Sequence, residues 1–404
     1  MLHRAREDEM QDFRTWRATA VVVVGALTLL MSGVLPAGSA RHPTVSDSAG
    51  VLALDWGDLD ATPDAWRGNY VVMQPWEHAR IPALKEKNPH LTVLMYKDTS
   101  AAVKVPHESG VFATGVSYQE AAEAGWLLHG QDGQIVEWSD WAGLFPTDIA
   151  DPAYQDRWAD NVLAELRRGD WDGVMMDDTL TYLSHDTAGG RVPVEIPTDA
   201  AMYDATGSFL REVATRIKRN GFLAIPNVTV EWNTWRDVMT DWTPYVSGWE
   251  NEYAVKWGLD SAGPRFVGAD WQWKMELAAW CADRDVPLLS VTYSNRGDFG
   301  AVTYSRATWL LTWNGRTGSS MFVPAEPFTD HWVPRAVIDI GLPVAPRQRL
   351  PDGTWRRPYT AGLVLVNPTT SWHDVQLARA YEKPSGRRVT EIVLPPLSGA
   401  VLRR

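Results

Sequence analysis

Along this chain short apolar runs alternate with amphipathic or loop-like stretches, and most runs stop at a polar or aromatic residue. The runs fall at Val51–Trp56, Tyr70–Trp76, Leu91–Asp98, Asp172–Thr179, Phe222–Asn227, Val246–Glu250, Val286–Tyr293 and Ser319–Val323. They are short and lack a helical period, so each reads as a strand buried on both faces, as in a parallel sheet. Between several of them the period changes to that of a helix. Asp151-Pro152 supplies an N-cap and a first helical residue, after which Trp158, Val162 and Leu166 share one face. Phe209, Val213 and Ile217 mark another helix, closed by Lys218-Arg219-Asn220-Gly221. Eight such units, most with an intervening helix, predict an α/β fold: a (β/α)8 TIM barrel over residues 51–345. The first crossover, residues 57–69, is too short for a long helix.

In a parallel barrel the strand ends converge on one mouth, where ligands bind. The residues expected there are Asp55 and Trp56, Gln74 and Trp76, then Tyr96, Lys97 and Asp98. Asp177 and Asp178, Asn227, Trp249 and Glu250, and Tyr293 with Asn295 complete the set. Strands must end in polar residues somewhere, but that alone does not explain a set so rich in Trp, Tyr and carboxylate. Asp177-Asp178 is the sharpest feature. One of the two can act in chemistry while the other caps the next helix, because successive strand residues point to opposite faces. Residues 99–150 form a long insertion whose Asp132-Gly133 pair signals a hairpin. A loop of that length in a compact domain is usually functional, and it is expected to wall the cleft.

Composition adds three points. The 22 Trp are more than a core needs, and flat rings lining a groove suit the apolar faces of sugars. The single Cys281 allows no internal disulfide and no cysteine metal cluster. The net charge of −12 makes a poor nucleic-acid binder. Other chemistries find little footing. The nine His include no zinc-helix pair, and Gly-x-Ser-x-Gly, P-loop and dinucleotide fingerprints are absent from the sequence. No cofactor or metal is expected. His129 and His185 read as structural or substrate-contacting.

Residues 1–40 read as a signal peptide or N-terminal membrane anchor: Arg14 and Arg17 precede the apolar run Ala18–Leu30, and Gly38-Ser39-Ala40 suits cleavage. That segment puts the remainder outside the cytoplasm, secreted or anchored on the outer face of the membrane. Residues 41–50 read as a linker. Residues 346–404 change to short β-like runs with turns at Asn367-Pro368, Pro384-Ser385-Gly386 and Pro395-Pro396, which predict a small C-terminal β-sandwich.

The run Asp172-Gly173-Val174-Met175-Met176-Asp177-Asp178, the hairpin around Trp126-Leu127-Leu128-His129-Gly130, and Gly248-Trp249-Glu250-Asn251-Glu252-Tyr253 resemble the "hypothetical glycosyl hydrolase 15" type. More distantly they are similar to α-galactosaminidase-like and α-galactosidase-like barrels. The resemblance extends over residues 50–402 and implies hydrolysis of O-glycosidic bonds in a poly- or oligosaccharide. In the relatives a carboxylate ending strand four is the nucleophile and one ending strand six the acid/base. By position these are Asp177, with Asp178 as fallback, and Glu250. The relatives also imply a retaining mechanism. The alternative from a different class is a non-catalytic barrel that binds cell-envelope polysaccharide through the same aromatic cleft, since fold alone does not fix function.

Overall fold

The computed structural model describes residues 52–54, 65–256, 264–294, 297–323 and 338–404. The expectations for residues 1–40 and 41–50, and for Asp55, Trp56 and Asn295, lie outside these. Among the described residues no helix is long and apolar enough to cross a membrane.

The strands are β1 (Leu52–Leu54), β2 (Tyr70–Met73), β3 (Thr92–Asp98), β4 (Ala101–Val103), β5 (Leu144–Pro146), β6 (Gly173–Thr179), β7 (Leu223–Val228), β8 (Trp249–Glu252), β9 (Leu288–Tyr293) and β10 (Ser319–Val323). Apart from the antiparallel pair β4–β5 that closes the insertion, they form one parallel sheet in the order β1-β2-β3-β6-β7-β8-β9-β10. The sheet curls into a nearly closed barrel, with β1 and β10 side by side.

The barrel has two layers of packing, and strand parity sorts residues between them. Val72, Leu94, Met175, Ile225, Leu289 and Val291 point to the interior. Val93, Met95, Val174, Met176 and Ala224 point out against the helices. The helix Pro152–Leu166 buries Trp158, Val162 and Leu166 there, and Asp151 caps it by accepting from the Ala153 N–H at 2.7 Å. Phe209, Val213 and Ile217 lie along a single helical run, Asp199–Arg219, that includes a π-helical turn at Leu210–Ala214.

The entry to β6 shows why Asp172-Gly173 precedes it. Asp172 accepts from the Val93 N–H at 2.7 Å and from Lys85 Nζ at 2.9 Å, which fixes β6 against β3. A Cβ on Gly173 would stand 2.3 Å from the Leu223 carbonyl oxygen, so only glycine lets β7 approach.

Beyond the barrel come β11 (Gln348–Arg349), β12 (Trp355–Tyr359), β13 (Gly362–Asn367), β14 (His373–Glu382), β15 (Arg388–Leu394) and β16 (Ser398–Arg403). The expected sandwich of two sheets is instead one antiparallel sheet, ordered β11-β12-β13-β16-β14-β15. A single pair, Glu382 with Arg403, joins β14 to β16. Parity again explains the layering. Leu363 and Leu365 of β13 face β14 and β15, while Val364 and Val366 face the last barrel helix, Phe299–Thr312.

Candidate active site

Each inward residue at the mouth lies two positions beyond an interior core residue. Tyr96 follows Leu94, Asp177 follows Met175, Asn227 follows Ile225 and Tyr293 follows Val291. The alternation that fills the barrel therefore also aims the polar groups. Asp177 is held from three sides: Tyr96 Oη donates to Oδ2 at 2.6 Å, Asn227 Nδ2 to Oδ1 at 2.9 Å, and the Asp178 N–H to Oδ1 at 2.9 Å. Burial, then the Asp178 charge, raises its pKa to about 6 in spite of those three donors.

Asp178 does not simply point the other way. Its φ of 50° is left-handed, and β6 shifts register against β7 between Met176 and Thr179. The turned backbone brings the Asp178 carboxylate to His185, whose Nε2 lies 3.2 Å from Oδ1. The other ring nitrogen, Nδ1, lies 2.9 Å from Asp140 Oδ2 on the insertion. Trp138 stacks on the imidazole at 3.9 Å. Burial disfavours the charged ring, but Asp178 and Asp140 outweigh it and raise His185 to about 10. Asp178 is correspondingly lowered: burial would raise it, and His185 more than offsets that. Asp98 accepts from the Ser100 and Ala101 N–H groups at 2.9 and 2.8 Å and lies close to Asp178. Burial and the Asp178 and Asp177 charges push its carboxyl well above the ordinary range.

Strand β8 differs from the expected Val246–Glu250. Residues 246–248 serve the turn into it: the Val246 N–H donates to Thr243 O and the Ser247 N–H to Ala224 O. The strand then runs two residues further, to Glu252. Glu250 and Glu252 share the inward parity at different depths. Glu250 is 0% exposed, and among the described residues neither carboxyl oxygen has a hydrogen-bond partner. Burial, Glu252 and Asp177 raise its pKa well above the ordinary range. Glu252 lies at the mouth, half-buried; Tyr293 Oη donates to its Oε1 at 2.8 Å, and the Asn227 side chain stands close enough to favour its ionised form. Burial and the Asp177 charge raise it to about 8 against those donors. Asn227, bonded to Asp177, thus also influences Glu252.

A mouth built of carboxyls, tyrosines and an amide has the makings of glycosidic chemistry, and sequence comparison agrees. The family model described as hypothetical glycosyl hydrolase family 15 matches residues 85–363, more than half of the chain. The chain belongs to that family. No curated protein matches it in sequence. Solved structures similar to this family member include the glycoside hydrolase domain of PelA from Pseudomonas aeruginosa, at 15% identity over 67% of this chain and 93% of that one, TM-score 0.44. Others are the α-amylase from Geobacillus thermoleovorans complexed with acarbose (10% identity, 90% and 99% covered, TM-score 0.46) and the Flavobacterium johnsoniae GH31 dextranase complexed with glucose (12%, 89% and 52%, TM-score 0.49).

Not every expected site residue of this glycoside hydrolase reaches the mouth. Lys97 has outward parity with Val93 and Met95; its Nζ is buried against Glu165 Oε1 at 2.9 Å and Phe112 O at 2.6 Å. Trp249 is likewise outward, 0% exposed among the helices, with Nε1 donating to Thr243 at 3.0 Å. Neither can contact a substrate from there. Gln74 precedes a short 3-10 turn and is buried, and Trp76 within that turn stacks on His107 of the insertion at 4.3 Å. His129 pairs with Glu195, its Nδ1 3.1 Å from Oε1. Three contributors went unread in the sequence: Glu252, Asp140, and the linking position of His185. Strand period could have found Glu252, which shares Glu250's parity; Asp140 lies in a turn of the insertion and gives no periodic signal. Among the described residues no group of His, Cys, Asp and Glu is arranged to hold a metal ion.

Proposed function

We propose that this family member is an exported, retaining glycoside hydrolase in which Asp177 is the nucleophile and Glu252 the acid/base. The observation that carries the reading is the pair of inward carboxyls at the mouth, Asp177 bonded to Tyr96 and Asn227 and Glu252 bonded to Tyr293, which burial raises to about 6 and about 8. Near neutral pH Asp177 is then ionised and Glu252 protonated, the division of labour that glycoside cleavage needs. Retention is the mechanism that the resemblance to related barrels implies, and it requires carboxyls roughly 5–5.5 Å apart rather than the roughly 6.5–9.5 Å of inverting pairs.

In the first step an Asp177 oxygen bonds to the anomeric carbon as the glycosidic bond breaks, and the Glu252 proton goes to the departing oxygen. In the second, Glu252 takes a proton from water, whose oxygen displaces Asp177 from the anomeric carbon. Tyr96 and Asn227 orient Asp177; Tyr293 orients Glu252. Glu250, expected from the resemblance as the acid/base, lies too deep to meet a sugar and is assigned no step.

A poly- or oligosaccharide is the substrate class this reading favours. Trp141 and Trp232 are 44% and 68% exposed on loops next to the mouth, where they offer faces for further sugar units. Residues 51–345 would be the catalytic (β/α)8 barrel, a closure supported by the adjacency of β1 and β10. Export rests on Arg14 and Arg17 ahead of the apolar run Ala18–Leu30.

The test is turnover of a glycan substrate found by screening the purified protein. Asp177→Asn and Glu252→Gln should each lower kcat by about 10²–10⁴-fold, while Glu250→Gln stays within several-fold of wild type. Loss in Glu250→Gln with retention in Glu252→Gln would reverse the acid/base assignment. Tight glycan binding without cleavage by the wild type would favour a binding role.

A further inference from the structure

We propose that His185 is a positioning residue for the nucleophile, an imidazolium that cross-links Asp178 to Asp140 and offsets the Asp178 charge beside Asp177. The proposal rests on Asp177 being the nucleophile. Its basis is geometric. The left-handed Asp178 turns its carboxylate away from ordinary strand alternation and onto His185 Nε2 at 3.2 Å. Nδ1 meets Asp140 Oδ2 at 2.9 Å, so both ring nitrogens face carboxylates and both must carry protons to satisfy them. Trp138 covers one face of the ring at 3.9 Å, an arrangement that favours a cation.

The cross-link closes a set of contacts that tie the segments next to β6 to its end. The Thr99 N–H donates to Asp177 O at 3.0 Å and Ser100 Oγ to Asp178 O at 3.0 Å. The Ser139 N–H donates to Asp186 O and the Ala188 N–H to Glu137 O, which seat the Trp138–Asp140 turn beside His185. Around Asp177 the titratable groups are acids: Asp178 on its own strand, Tyr96 and Asp98 on β3, Glu250 and Glu252 on β8, with Tyr293 on β9 behind Glu252. Lys97 on β3 faces away, toward Glu165. A cation on Asp178 is what lets two adjacent carboxylates stay ionised together.

Two measurements on His185→Gln test this. The first needs no substrate. His185 is raised from 6.5 to about 10, so its stabilising contribution is complete below about pH 6.5 and lost as pH rises through about 10. The Tm gap between wild type and His185→Gln should therefore be wide at pH 6 and narrow at pH 10.5. A gap independent of pH would overturn the imidazolium. The second is the acid limb of kcat/KM. Loss of the cation should move it up by about one unit, leaving activity near pH 6 about fivefold below wild type and activity near pH 7.5 little changed. A uniform drop at all pH values, or an unmoved limb, would overturn the positioning role. Should the wild type cleave no glycan, the same shift is read from the Asp177 carboxyl by ¹³C NMR titration, with Asp177→Asn for assignment. Asp140→Asn should displace the limb in the same direction by less, and it serves if His185→Gln fails to fold.

Discussion

A carboxyl that must be ionised and one that must be protonated set opposite limbs of a pH profile. In the proposed mechanism these are Asp177 and Glu252, both raised by burial, the first to about 6 and the second to about 8. Activity should rise as pH passes about 6 and fall as it passes about 8, with a maximum near 7. Because the two charges feel each other, the limbs belong to the pair rather than to either residue. Glu252→Gln should remove the alkaline limb from whatever activity is left, since the group that loses its proton there is gone. A profile whose alkaline limb survives that change would point to another acid. The identity of the mouth residues follows from alternation: two positions beyond Leu94, Met175, Ile225 and Val291 stand Tyr96, Asp177, Asn227 and Tyr293.

At the scale of elements, β6 positions the proposed nucleophile, and its start matters as much as its end. Gly173 lies against β7 so closely that an added Cβ would meet the Leu223 carbonyl oxygen at 2.3 Å and the Leu223 Cβ at 2.5 Å. Backbone cannot step aside cheaply between paired strands, so Gly173→Ala should destabilise the protein by about 1–3 kcal/mol. Urea unfolding checks it: the midpoint should fall, and activity per folded molecule should fall too, as β7 carries Asn227. A variant as stable as wild type would mean that the strands part there without cost. The two-residue extension of β8 is the other decisive element, because it is what carries Glu252 past Glu250 to the mouth.

At the scale of the whole molecule, the barrel and the C-terminal sheet share a core. Val364, Val366, Val401 and Tyr359 pack with Tyr304, Ala307 and Leu311 of the last barrel helix. Tyr359 Oη donates to Leu310 O at 2.6 Å, and one Arg357 nitrogen reaches Leu310, Leu311 and Trp313 carbonyls at 3.1, 3.0 and 2.6 Å. These contacts satisfy the carbonyls that a helix end leaves open. Removing residues 346–404 would expose that face and orphan those carbonyls. The fragment ending at residue 345 should therefore aggregate or melt well below the full chain, which should unfold in one calorimetric transition. The fragment 41–404, lacking the apolar run, should be soluble and folded. A stable, active 1–345 fragment would show that the sheet is dispensable.

The sequence alone was enough for the alternation of apolar strands and amphipathic helices, for the strand end at Asp177, and for the carbohydrate chemistry of the family. Those are local patterns: period two against period 3.6, caps such as Asp151-Pro152, and a pair of acids after an apolar run. Tertiary structure decided what depends on which face a side chain takes and how far a strand runs. Lys97 and Trp249 looked like mouth residues because they end apolar runs, yet their parity turns them toward the helices. Glu250 and Glu252 differ by one step of the same face, and only the register of β8 against β9, Glu252 opposite Val291, separates the buried acid from the accessible one. The contact of Asp140 with His185 joins residues 45 apart through a folded loop, a closeness no local period encodes. The C-terminal strands were legible one by one, but whether they form two sheets or one turned on the pairing of Glu382 with Arg403.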